Sequence, residues 1–196
     1  MTVVVRTLTD AEERHAAIPA LSDLRIRIFR GWPYLYEGTA DYEADYLAEF
    51  FREPGAVLVV AKDGDAIVGA ATASPMAAQK PEFQEPLRLH GLDVARIFYF
   101  GESVLLPAYQ GQGIGHRFFD AREAAARAAG AVQTSFCAVI RPDDHPMRPN
   151  TPRDLTPFWR ARGYAPVEGL TTTLHWQDVG DADESPHQMQ FWMRDL

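Results

Sequence analysis

The chain holds one cysteine in 196 residues, Cys137, inside the apolar run Ser135-Phe136-Cys137-Ala138-Val139. A lone cysteine excludes an intramolecular disulfide and any cysteine-cluster metal site, and these neighbours make it a small buried hydrophobe. Long apolar runs are missing too. No stretch approaches the roughly 18–20 residues of a membrane span, and Met1-Thr2-Val3-Val4-Val5-Arg6 lacks the basic start and apolar stretch of a secretory leader. The expected location is the cytoplasm, without membrane contact. Positive charge is scarce, with 19 Lys+Arg against 27 Asp+Glu and a net charge of −8. Sequence-blind binding to phosphate backbones needs clustered positive charge, so no nucleic-acid partner is expected; the same sign attracts a cationic small molecule. His15, His90, His116, His145, His175 and His187 show no metal-ligand spacing, so no metal is expected. Repeats and low-complexity linkers are absent, and residues 1–196 read as a single domain.

What is present alternates between strand and helix signals. Val3 to Thr7 is a β-branched strand, and Thr9 with Glu12 three residues on is a capping-box start for a helix that meets Pro19. A second apolar pattern follows through Leu21, Leu24 and Ile28. The stretch Arg30 to Gly38 is aromatic but broken by glycine and proline, hence a loop. Tyr42, Tyr46, Leu47, Phe50 and Phe51 recur at helical spacing up to Pro54-Gly55. Strands 57–62 and 66–72 flank Asp63-Gly64, a hairpin turn. Residues 75–92 read as a long irregular connection. A strand over 96–106, a helix over 113–129, a strand over 132–140, a short helix over 155–162 and strands over 171–176 and 189–194 complete the order β-α-α-β-β-β-α-β-α-β-β. The acidic segment 177–187 reads as a loop.

The most informative segment is Glu102-Ser103-Val104-Leu105-Leu106-Pro107-Ala108-Tyr109-Gln110-Gly111-Gln112-Gly113-Ile114-Gly115-His116. It joins a strand to a helix through three closely spaced glycines, which admit close backbone approach and positive φ. The first turn of the helix has free N–H groups and partial positive charge, which suits an anion such as pyrophosphate. A P-loop would need Lys-Ser/Thr after its last glycine, where this chain has His116-Arg117. A dinucleotide fingerprint, G-x-G-x-x-G, is missed because Gly115 arrives one residue early. The acetyl-CoA motif Gln/Arg-x-x-Gly-x-Gly/Ala is met at every fixed position by Gln110 to Gly115.

With its hydrophobic strand, proline and aromatic residue just ahead of the motif, this stretch resembles the GNAT N-acetyltransferases, and the element order resembles that fold over nearly the whole chain. The resemblance implies an α+β fold: a mixed, mainly antiparallel sheet of about seven strands, flanked by about four helices and splayed between strands 4 and 5. It implies acetyl-CoA as co-substrate, with Gln110, Gly111, Gln112, Gly113, Ile114, Gly115 and His116 at its pyrophosphate. Ser103, Val104 and Leu105 would pair with the pantetheine arm through their main chain. Two other classes stay open, a GNAT-fold acyl-CoA sensor without turnover and, on the weaker motif, a nucleotide-dependent oxidoreductase.

Acyl transfer to an amine needs a base for the ammonium, donors for the oxyanion and sometimes an acid for the thiolate. Glu102, on the strand implied to bind pantetheine, is the first candidate base, and an anchoring role for it stays open. His145, with Asp144 beside it, is a second candidate for moving a proton. The family's usual Leu-Tyr-x-x-x-Gly-Phe aligns with Phe158-Trp159-Arg160-Ala161-Arg162-Gly163-Tyr164, which puts Trp159 where the tyrosine acid is expected and leaves the acid unassigned. Trp32, Tyr34 and Tyr36 offer an aromatic wall for a cationic head, and Arg141 and Arg148 two guanidiniums for a carboxylate. The expected acceptor is therefore a small primary amine, amino-acid-like in form, with a peptide or protein amine as the alternative. The expected assembly is a monomer or homodimer.

Overall fold

The computed structural model describes residues 3–196, so Met1 and Thr2 lie outside the described residues. The elements are β1 (Val4–Leu8), α1 (Ala11–Phe29), α2 (Ala40–Phe50), β2 (Val57–Asp63), β3 (Ala66–Pro75), α3 (Pro81–Leu89), β4 (Ile97–Leu105), α4 (Ile114–Ala128), β5 (Gln133–Val139), α5 (Thr156–Ala161), β6 (Ala165–Gln177) and β7 (Glu184–Asp195). The strands form one sheet in the order β1-β2-β3-β4-β5-β7-β6. Every neighbouring pair is antiparallel except β4 with β5.

The sheet is covered on both faces, and the strand residues alternate accordingly. On β2, Leu58 and Val60 pack with Leu21 and Leu24 of α1 and Leu47 of α2. Val59 and Ala61 turn the other way, onto Ile114 and Phe118 of α4. On the α4 face, Phe98, Phe136 and Trp192 meet Phe119 and Tyr164, with Trp159 of α5 packed against them. Such two-sided burial explains the near-continuous apolar runs of the central strands.

Several element boundaries differ from the sequence reading, each for a local reason. The cap of α1 is Asp10, not Thr9: its carboxylate accepts from the Glu13 N–H at 2.9 Å. That helix runs unbroken past Pro19, because Ile18, Leu21 and Leu24 all bury on one face. Residues 75–92 contain α3, so the flanking helices number five and not four. Pro81 starts it where a missing N–H costs nothing, and it docks by Leu87 and by the Thr172 hydroxyl, which donates to the Glu82 carbonyl at 2.6 Å. The acidic segment 177–187 belongs largely to a long β6–β7 hairpin, whose pairing extends from Ala165↔Met193 to Gln177↔Glu184 across a bulge after Pro166.

Two irregularities of β4 define the site. Its parallel pairing with β5 covers only Ile97↔Gln133, Phe98↔Thr134 and Tyr99↔Ser135, and then stops. β5 goes on pairing with β7 as far as Val139↔Met189, and β4 goes on pairing with β3 as far as Leu105↔Gly69. The two strands therefore part, as the resemblance implied. On its other edge β4 is bulged: Ser103 pairs with Ala71 and Phe100 with Ala73, so Thr72 faces both Gly101 and Glu102. An extra residue inverts the alternation beyond it. Before the bulge Tyr99 lies on the α1–α3 face; after it Glu102 and Val104 do, while Ser103 and Leu105 turn toward α4.

A Cβ at Gly101 would lie 2.5 Å from Thr72 Oγ1, the atom that accepts from the Glu102 N–H at 3.2 Å. Gly101→Ala is expected to cost about 1–3 kcal/mol through overpacking. Adding Thr72→Ala removes the clashing atom and recovers part of that loss, which a double-mutant cycle in urea unfolding measures.

Candidate active site

The glycine turn is built to present its backbone. Gly111 and Gly113 have φ of 74° and 75°, a region that L side chains avoid, and Gly113 directly precedes α4. A Cβ at either position would meet nothing within 4 Å, so the backbone there faces open space. The N–H groups of Gly111, Gln112 and Gly113 make no backbone hydrogen bond among the described residues, and the first bond of α4 runs from the Arg117 N–H to the Gly113 carbonyl at 3.2 Å. Gly115 differs: its Cβ would touch Phe158 at 3.4 Å, so it serves helix packing. Gln110 and Gln112 fold back onto the carbonyls of Leu105 and Ala108, bracing the turn from outside. The result is a cluster of unpaired N–H donors at a helix N-terminus, suited to a phosphate. It continues directly from the edge of β4 that β5 leaves open.

Beside that edge lies a charged cluster the sequence reading missed. Glu102 is 8% exposed, and its Oε1 lies 2.9 Å from Nη1 of Arg25 on α1. Arg25 Nε also donates to Glu43 of α2, so one guanidinium serves two carboxylates. The rings of Tyr46 and Phe29 lie 4.5 and 5.2 Å from its Cζ. Burial works against the Arg25 charge, but Glu102, Tyr46 and Glu43 outweigh it and raise its pKa. The second oxygen of Glu43 is buried without a hydrogen-bond partner. Glu43 sits between the exposed acids Asp41 and Asp45 in sequence, yet it is fully buried. The signal was available: Glu43 is in register with Leu47 and Phe50, and Arg25 with Leu21 and Leu24, so both interrupt apolar stripes.

The Trp32–Tyr36 loop and the Arg141–Arg148 loop meet. Trp32 lies 5.4 Å from the His145 ring, centroid to centroid, and a cleft of about 220 Å³ opens between Trp32, Val139, Arg148 and Arg153. Tyr34 packs on Phe29 and Trp176, and burial pushes its phenol up to about 12. Burial and the nearby Glu43 likewise raise Tyr36, whose backbone bridges to Asp178. The arginines are engaged internally. Arg141 donates to the Pro33 and Tyr34 carbonyls and makes a two-pronged pair with Asp178, at 2.6 and 2.7 Å. It thereby locks the Tyr34 loop to the β6–β7 turn. Arg148 folds onto Asp143, and His145 Nδ1 accepts from the Met147 N–H at 3.2 Å, closing the loop on itself.

Trp159 is half-buried and packs against Phe136 and Trp192, at 5.0 and 5.1 Å. Tyr164 is buried with its hydroxyl held between Thr134 and Glu123. Cys137 is buried beside Tyr99, and burial raises its thiol well above the ordinary range. Ser185, His187 and Asp178 also converge, but Ser185 Oγ and Asp178 Oδ1 both approach Nε2 of the ring, at 3.2 and 3.5 Å. A proton relay needs the two partners on opposite ring nitrogens, so this trio is structural.

The match to known proteins agrees with this geometry. The model of the acetyltransferase (GNAT) family matches residues 19–149, which includes the glycine turn, both parting strands and the Arg141–Arg148 loop. The chain belongs to the GNAT acetyltransferase family. Among solved structures, a ribosomal-protein-alanine N-acetyltransferase from Brucella melitensis superimposes with a TM-score of 0.64 at 15% identity, covering 98% of this chain and 99% of that one. An aminoglycoside 6′-N-acetyltransferase complexed with coenzyme A gives 0.61 at 16% identity, over 98% and 96%. An N-acetyltransferase from Staphylococcus aureus Mu50 gives 0.60 at 13%, over 100% and 99%. No curated protein sequence matches the chain. At these identities the likeness is one of fold. Among the described residues, no helix is long and apolar enough to cross a membrane.

His187 yields a prediction on stability. Burial lowers its pKa below the ordinary 6.5, with the Trp176 carbonyl and Asp178 only partly opposing. The unfolded chain then binds this proton first, so the stability His187 contributes is present above about pH 6.5 and is lost as pH falls through that value. Urea midpoints at pH 7.5 and pH 5.5 should drop more for the wild type than for His187→Gln. Equal drops would assign the acid sensitivity elsewhere.

Proposed function

We propose that the protein transfers an acetyl group from acetyl-CoA to a primary amine of a small-molecule acceptor, by direct attack within a ternary complex. The observation that carries this reading is the continuous surface formed by the open β4 edge and the unpaired N–H groups of the glycine turn. Residues 100–105 carry main-chain groups that β5 does not take up, and they lead straight into the turn before α4. In this reading the N–H groups of Gly111 to His116 bind the pyrophosphate, and the main chain of Ser103 to Leu105 pairs with the pantetheine arm as an added strand would. Acetyl-CoA supplies an activated thioester carbonyl. The whole chain, residues 1–196, is read as one domain, working as a monomer or homodimer.

Glu102 acts as the base. The acceptor enters as an ammonium, and two carboxylates sharing one guanidinium leave this corner with an excess of negative charge to receive it. Glu102 takes a proton from the ammonium, directly or through one water. The nitrogen attacks the thioester carbonyl and the C–N bond forms; collapse of the tetrahedral intermediate breaks the C–S bond, and the second proton lost by the nitrogen balances the one taken up by the released CoA thiolate. Trp159 is half-buried against Phe136 and Trp192 and its indole N–H is too weak an acid, so no protein acid is assigned to that last step. Trp32 supplies the aromatic wall of the acceptor cleft, while Tyr34 and Tyr36, expected beside it, do not line it. The inward commitment of Arg141 removes the strongest reason for expecting a carboxylate on the acceptor, so the reading keeps the cationic head and leaves the zwitterion aside. His145, packed against Trp32, is the alternative proton carrier.

Two measurements test this. Gly113→Val, placed at φ 75°, should abolish acetyl-CoA binding by calorimetry while circular dichroism stays native. Glu102→Gln should keep acetyl-CoA affinity within a few fold and lower turnover by about 10²–10⁴ on an acceptor found by screening amines, peptides included, for thiol release. Wild-type turnover in Glu102→Gln would move the base to His145.

A further inference from the structure

Arg122 is the bulkiest fully buried side chain among the described residues, 1% exposed. It lies on the inner stripe of α4 with Phe118, Phe119 and Ala126, a place where an apolar residue would satisfy packing. Burying a guanidinium costs several kcal/mol unless its charge and its donors are met. No carboxylate among the described residues does so. Glu123, next in sequence, turns away to Arg162 and Arg194, at 2.9 and 3.1 Å. Burial accordingly lowers the Arg122 pKa to about 10, which still leaves it charged at neutral pH.

Its donors go to the irregular part of β4. Nη1 donates to the carbonyls of Thr72 and Glu102, each at 3.3 Å, Nη2 to Ser103 Oγ at 2.9 Å, and Nε to the Phe118 carbonyl at 3.2 Å. The rings of Phe100 and Phe119 lie 4.4 and 4.8 Å from its Cζ. Thr72 and Glu102 are the two sides of the β3–β4 bulge. A bulge leaves ladder carbonyls without strand partners, and buried carbonyls must be met. Arg122 meets them from the helix whose N-terminus carries the glycine turn.

We propose that Arg122 is a positioning residue for acetyl transfer: it pins the β4 bulge from α4, so that Glu102 faces the acceptor side and the Ser103–Leu105 edge lies open to the pantetheine arm. Without the bulge, alternation along β4 would put Ser103 on the α1 face and turn Glu102 toward α4. One side chain thus fixes the base, the acyl-donor edge and the phosphate turn relative to one another. The inference rests on the reading that this edge takes pantetheine, and it predicts that Arg122 governs one half of the donor and not the other.

The test compares acetyl-CoA with 3′-phosphoadenosine 5′-diphosphate, the nucleotide end alone, by calorimetry on wild type, Arg122→Met and Arg122→Lys. Loss of charge-assisted hydrogen bonds should weaken acetyl-CoA by about 10-fold or more in Arg122→Met, while the nucleotide end stays within about twofold. Arg122→Lys keeps the charge but reaches fewer acceptors, and should recover part of the loss; should Arg122→Met not fold, the same split of smaller size in Arg122→Lys decides. In ¹⁵N spectra of Arg122→Lys, the amides of Gly101 to Ser103 should move and those of Gly111 to Gly113 should not. Equal weakening of both ligands, or of neither, would make Arg122 a packing residue and overturn the proposal. A wild-type protein that binds the nucleotide end but gains nothing from the pantetheine arm would overturn the donor reading itself, and this inference with it.

Discussion

The ladder between β4 and β5 stops after Tyr99 and Ser135, and most of what is functional follows from that interruption. A closed ladder would satisfy every carbonyl and N–H of residues 100–105 and leave a CoA thioester nowhere to enter. The opening needs support, since unpaired main-chain groups in a sheet interior are costly. On one side β5 is held by β7, on the other β4 is held by β3, and the bulge at Gly101–Glu102 is held by Arg122. The gap is therefore a rigid feature of the sheet.

Three buried arginines show three solutions to one electrostatic problem. Arg141 has a carboxylate of its own, and Asp178 is held ionised by that pair despite burial, which pins the Tyr34 loop to the β6–β7 turn. Arg25 has two carboxylates and satisfies neither completely, which leaves negative charge at the place where an ammonium is expected. Arg122 has no carboxylate and is met by carbonyls, a hydroxyl and two aromatic faces. The first arrangement favours rigidity, the second a cationic ligand, the third a defined backbone distortion.

The glycine turn was legible because its conformation is local. Three glycines between a strand and a helix dictate backbone conformation within a few residues, and Gly111 and Gly113 adopt the positive φ that their type permits. The central strands were legible for a similar reason, since apolar runs bounded by turns encode burial on both faces. The helix α3 was not, because it is only nine residues long and carries two prolines, and it is stabilised by β6, ninety residues away in sequence. The last two strands extend further than their apolar cores because an antiparallel hairpin recruits flanking polar residues into the ladder at little cost.

By itself, the sequence determined the order of the elements, the glycine turn and the family resemblance, all of which reside in neighbouring residues. Only the tertiary structure decided where the charges go. Glu43 looks like one of three acidic residues on a solvent face, and Arg122 like one of several basic residues on an amphipathic helix; both are fully buried. Arg141 looks free for a ligand and is bonded on every side to the chain. The burial of a charged side chain is set by partners distant in sequence, and one residue of bulge decides which face of the sheet Glu102 takes. A linear pattern carries neither, because the energy that makes them tolerable comes from groups brought together only when the chain has folded.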